Sequence, residues 1–204
     1  MSNLLRQIAE IMEKPILFLL IALIIVTLAI LGSLIAEIFT EHRHLKVSMP
    51  VLMEELRRPE TDREECIRHS GLLGRQKKAL TELLHHPDFT VKMREALALR
   101  LLEQERAVWQ TRIKRTDLIA RLGPMLGLLG TLIPLGPGIQ ALGSGETEIL
   151  SASLLTAFDT TIAGILCAAV AMLVSYVRRK WYADYLSIQE TLTECILEIL
   201  KDAE

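Results

Sequence analysis

Catalytic signatures are missing from this 204-residue chain. It has no phosphate-binding glycine loop, no nucleophile elbow and no HExxH helix, so nothing in it supports ATP-driven or hydrolytic chemistry. Cysteine is scarce. Cys66, Cys167 and Cys195 are odd in number and lack metal-ligand spacing, which excludes a disulfide scaffold and leaves free thiols as the expectation. His42-x-His44 and His85-His86 are read as having no acidic or Cys partner at helical spacing, so no metal and no cofactor is expected. No strand-like alternation, internal repeat or low-complexity tract stands out. Aromatic residues make up only 4% of the chain. The most informative absence is of charge over long stretches. Pro15–Ala36 is 22 residues without a charged side chain, Leu122–Gly145 is 24, and Ile149–Val177 is 29 with the single exception of Asp159. About 20 apolar residues cross a hydrocarbon core, so three such runs exclude a soluble enzyme and a disordered tail.

What is present fits between those runs. Half the residues are hydrophobic and 24% are charged, and the charge is segregated. Thr40–Arg121 holds 17 of the 23 Lys and Arg residues, while the link around Gly143–Glu148 holds none and carries Glu146 and Glu148. Basic residues close to spans stay on the cytoplasmic side. The expected topology therefore puts the N-terminus outside, the large segment inside, a short acidic hairpin outside and the C-terminus inside, in the cell (inner) membrane. Within Thr40–Arg121, 17 basic against 13 acidic residues leave only +4, too little to imply nucleic acid. The first run is too long for a signal-peptide core and has no small-x-small cleavage site after it, so it reads as a retained span.

The fold expected is all-α: an integral membrane protein with three transmembrane helices and long helices extending into a cytoplasmic helical domain. Residues 1–14 form an amphipathic lead-in, 15–36 the first span and 37–121 the cytoplasmic domain. The second span is 122–145, the third 149–177, and 178–204 an amphipathic cytoplasmic helix. Pro50, Pro59 and Pro87 punctuate the cytoplasmic part, and Thr61-x-x-Glu64 is a capping-box candidate opening a helix through about Leu84. The helix after Asp88 or Thr90 meets no proline until Pro124 and can run straight into the second span. Trp181, Tyr182 and Tyr176 read as an interfacial aromatic belt.

The second and third spans carry small faces. Seven of the eleven glycines lie between Gly123 and Gly145, and Gly123, Gly127, Gly130, Thr131, Pro134, Gly138 and Ala141 share a side of one helix. Ala157, Thr161, Gly164, Ala168, Ala171 and Ser175 fall at helical spacing on the other. Two readings stand side by side: close helix packing alone, or the wall of a pore with the bulky first span outside toward lipid. Asp159, flanked by Thr160 and Thr161, likewise has two. A charge near the centre of a span costs about 2.5–3.5 kcal/mol, so it either serves an ion path or sits near the outer mouth, solvated from outside.

Those residues resemble a family. Gly127-Leu128-Leu129-Gly130-Thr131-Leu132 looks like the glycine–threonine motif opening the second span of ExbB/TolQ/MotA-type proton-channel subunits. Ala157-Phe158-Asp159-Thr160-Thr161-Ile162-Ala163-Gly164, with Tyr176 beyond, is similar to that family's third-span pattern. The specific part covers about 112–179, and ExbB/TolQ is the nearer relative. The resemblance implies the pore-forming stator of a proton-driven motor: a homo-pentamer in the bilayer, its second and third helices lining a pore that holds a single-span ExbD/TolR-like partner. It implies Thr131 and Thr161 as pore-lining threonines. Three positions depart from the pattern: Pro134 and Val170 replace usual residues, and Thr156 stands where a glutamate is common, with Asp159 three residues on expected either to replace that glutamate's function or to supply a proton site of its own. The alternative is a non-conducting membrane scaffold whose cytoplasmic helices dock a partner.

Overall fold

A computed structural model describes residues 2–42, 48–58, 62–86 and 88–202, with side chains described throughout except at 2–10, 13, 41 and 42. All regular structure among the described residues is helical. Helix α1 runs Ser2–Glu37 and ends in a wider π-type turn, Ile38–His42. Three short helices follow: α2 (Met49–Arg57), α3 (Arg63–His69) and α4 (Gly74–Leu84). Two long ones complete the chain, α5 (Val91–Gly143, 53 residues) and α6 (Thr147–Asp202, 56 residues). Helices α1, α5 and α6 are each long and apolar enough to cross a membrane. The last two are more than twice the roughly 20 residues a bilayer core needs.

Local chemistry explains the breaks. Helix α5 ends in a Schellman turn. The Glu146 N–H donates to the Ala141 carbonyl at 2.8 Å and the Gly145 N–H to that of Leu142 at 3.1 Å. Gly145 takes the left-handed conformation (φ 78°) that this turn requires and that a side chain disfavours. Prolines 124, 134 and 137 remain inside α5 without ending it.

The chain divides into two compact units. One combines α1 up to Leu34 with Ile113–Val177. Its core holds Leu23, Ile119, Cys167 and Ala171, with Ile24, Ile30 and Leu126 packed around them. Outside that core Phe18, Ile25, Leu128, Leu132, Ile165 and Leu173 are exposed, the surface expected of helices in lipid or against other apolar helices. The other unit combines Ile35–Arg112 with Arg178–Glu204. Leu52, Leu56, Ile67, Leu80, Leu83, Leu192 and Ile196 form its core. Buried Gln76 ties α4 to α6, its Nε2 donating to the Tyr185 carbonyl at 2.8 Å.

Several local expectations change. Thr61 lies outside the described residues, and Asp62 caps α3 instead, its side chain accepting from the Glu64 and Glu65 N–H groups. The single helix expected through Leu84 breaks over Ser70–Leu73, between the end of α3 at His69 and the start of α4 at Gly74. Pro50 sits in the first turn of α2, where its missing N–H costs nothing. His86 does have an acidic neighbour one turn back, Glu82 at 3.6 Å, and stacks on Phe89. His44 falls outside the described residues. Tyr182 belongs to no lipid belt: it is buried, with ring centroid 4.4 Å from that of Trp109 and 6.2 Å from Tyr185.

Candidate functional site

The small faces of α5 and α6 meet each other within one chain. A Cβ added to Gly123 would stand 2.5 Å from the Gly164 carbonyl oxygen, and one added to Gly164 would stand 2.5 Å from that of Gly123. At Gly130 it would stand 2.6 Å from the Thr160 Cβ, and at Gly138 2.9 Å from the Ser153 Cβ. Gly127 approaches Thr160, Thr161 and Gly164 at 3.4–3.5 Å by the same measure. Pro134, Ala157 and Ala168 are also buried. The helices run antiparallel along this seam, backbone nearly on backbone, which only residues without bulk permit.

The polar residues sort by flank. Thr160 lies in the seam, 4% exposed, its hydroxyl donating to the Thr156 and Ala157 carbonyls at 3.0 and 2.9 Å. Thr131 and Thr161 each come one residue, about 100° of turn, after the seam residues Gly130 and Thr160. Because the helices are antiparallel, both steps turn to the same side. Both threonines are half-buried there, donating to the Leu128 and Ala157 carbonyls. Asp159 comes one residue before Thr160, turns to the opposite flank and is exposed. The α1 contacts lie toward that flank on α5, where Ile119 is about 120° round from Thr131, and on α6 they straddle the two, Cys167 standing about 80° from Asp159 and Ala171 about 80° from Thr161. The four residues expected to share an ion path are thus divided: two threonines together, one in the seam, and the aspartate across it.

Two polar constellations were not anticipated from the sequence. In the same unit, Ser175, itself 4% exposed, donates its hydroxyl to Asp117 Oδ1. In the other unit, Glu37 at the end of α1 is a shared acceptor, with its side chain 14% exposed. Arg178 grips it in a fork, Nε to Oε2 and Nη2 to Oε1, both at 3.1 Å. Arg112 adds a contact at 3.3 Å and the Tyr182 hydroxyl another at 3.3 Å. The Arg112 guanidinium also lies 5.1 Å over the Trp109 ring. Burial is the main cause that pushes the Tyr182 phenol above the ordinary tyrosine range, so it stays a neutral donor here. This clasp joins α1, α5 and α6 through residues 75 and 141 positions apart, a convergence that no local spacing announces.

Comparison with known proteins gives the arrangement a setting. Residues 76–190 match the MotA/TolQ/ExbB proton channel family. Over 108 residues, 51% of this chain, the sequence is 32% identical to biopolymer transport protein exbB1 of Vibrio cholerae serotype O1 (strain ATCC 39315 / El Tor Inaba N16961). That stretch covers 47% of the relative, so the match spans about half the length of each protein. The family match takes in all of α5 and α6 as far as Glu190, the very helices whose small faces build the seam. With three helices suited to crossing a bilayer and more than half its length matched, this chain is a membrane protein belonging to the MotA/TolQ/ExbB proton channel family.

Proposed function

We propose that the chain is the pore-forming stator subunit of a motor driven by the proton-motive force. The family match across α5 and α6 carries this reading. In the proposed assembly five copies surround a single-span ExbD/TolR-like partner in the inner membrane, with N-termini outside and C-termini in the cytoplasm. The relative's description as a biopolymer transport protein suggests that the work is delivered to a transport process elsewhere. Each proton crossing the membrane supplies about 2.3 kcal/mol per 100 mV.

The flanks of the seam suggest how a copy is oriented. Helix α1 exposes bulky Phe18, Ile21 and Ile25, suited to lipid, and its contacts on α5 lie toward the Asp159 side. Turning α1 outward leaves the Thr131–Thr161 flank to face the pore axis. On this reading the two threonines line the ion path, Thr160 holds the seam, and Asp159 is a separate charge near the outer end of α6. Native mass spectrometry of the complex, purified through a tag on this chain, tests the assembly. Several copies with a small single-span subunit are expected; a monomer contradicts a shared pore.

A second reading, the non-conducting scaffold, draws on the seam itself. Gly123 and Gly164 press so closely that packing alone accounts for their small size. The two readings part on ion flux, which a scaffold does not carry.

A further inference from the structure

We propose that Asp117 is an ion-exchange carboxylate on the conducting flank, midway along α5 and, within the unit that holds the seam, at the end away from the Gly143–Thr147 hairpin. The proposal rests on the stator reading above and adds a residue to it. Asp117 precedes Thr131 by 14 residues, and Thr161 precedes Ser175 by 14. Fourteen residues are close to four full turns, so each pair shares one face of its helix, roughly 21 Å apart. The Ser175 hydroxyl bonds Asp117 Oδ1 across the two helices, so the same flank that shows Thr131 and Thr161 at one level shows this carboxylate at another.

The charged groups around it are basic. Lys114 and Arg121 lie about one turn away on α5, both exposed. From α6 comes Ser175, followed within about one turn by the basic Arg178 and Arg179, and that helix has no acidic side chain between Asp159 and Asp184. The charge-free stretch of α1, Pro15–Ala36, brings none. Next to Asp117, Thr116 is fully buried, so α5 is firmly seated at this level. A carboxylate so placed accepts a proton arriving along the threonine flank, becomes a carboxylic acid, and returns the proton to water; nothing else is consumed.

A plain structural role makes the opposite prediction, and three substitutions separate the two. Asp117→Asn keeps an oxygen that accepts from Ser175 but cannot exchange a proton. Ser175→Ala removes the interhelical bond and keeps the carboxylate. Asp117→Glu keeps the carboxyl at altered reach. The complex purified through this chain is reconstituted in liposomes, and a potassium–valinomycin potential drives protons toward an entrapped pH dye. Asp117→Asn should lower flux about tenfold or more, whereas Ser175→Ala and Asp117→Glu stay within about threefold of wild type. Normal flux in Asp117→Asn, or loss confined to Ser175→Ala, overturns the proposal. Should Asp117→Asn fail to assemble, Asp117→Glu decides: silence in a folded complex overturns it. An inactive wild-type complex overturns the stator reading and this proposal together, while an active wild type with active Asp117→Asn overturns this one alone.

Discussion

Gly164 shows how little freedom a single position in the seam has. A methyl group there would meet the Gly123 carbonyl at 2.5 Å and the Gly127 Cα at 2.9 Å, backbone atoms that cannot move without parting the helices. Overpacking of this kind costs about 1–3 kcal/mol, so Gly164→Ala and Gly123→Ala should lower the melting temperature of the detergent-solubilised protein. Gly136 has open space around it, and Gly136→Ala should leave the protein unchanged or slightly more stable. A second prediction concerns the two flanks. Thr131→Val and Thr161→Val should reduce ion flux by similar factors, and Asp159→Asn by less. Equal loss in Asp159→Asn would move the conducting path to the α1 side. The sequence displayed all four residues but not this division, because the direction in which Thr131 and Asp159 turn depends on which neighbours the seam selects.

The long helices were legible because the signals that end helices are absent where each leaves its apolar stretch. No proline interrupts Val91–Gly123, and none occurs in α6 at all, so each runs on past its apolar stretch. The break between α3 and α4 was hidden, since Ser70-Gly71 carries no proline and the helix-ending bias of those residues is weak. Harder still to foresee was the Glu37 clasp, which needs the ends of three helices in one place. Glu37→Gln removes the negative charge that Arg178 and Arg112 share, and should destabilise the protein by on the order of 3 kcal/mol, read by thermal melting. Tyr182 adds a pH dependence. Its folded-state value is raised, so the stability it lends is complete below the ordinary tyrosine value of about 10 and is lost as pH climbs above it. Melting temperature should therefore fall more steeply above about pH 10 in the wild type than in Tyr182→Phe.

For the protein as a whole, the segregation of charge already marked a membrane protein with a large polar part, and the described residues bear out three apolar helices and an all-α fold. The low aromatic content has two explanations in the structure. Small residues occupy the seam where rings would wedge α5 and α6 apart, and three of the nine aromatic residues, Trp109, Tyr182 and Tyr185, are gathered in one buried cluster of the other unit. Membership of a proton channel family makes ion conduction the claim on which the rest depends. The direct test is proton entry into sealed liposomes holding the purified complex under an imposed potential. The account predicts potential-dependent acidification that Thr161→Val suppresses without dispersing the complex. Intact wild-type complexes that pass no protons under that potential would contradict it and leave the scaffold reading in its place.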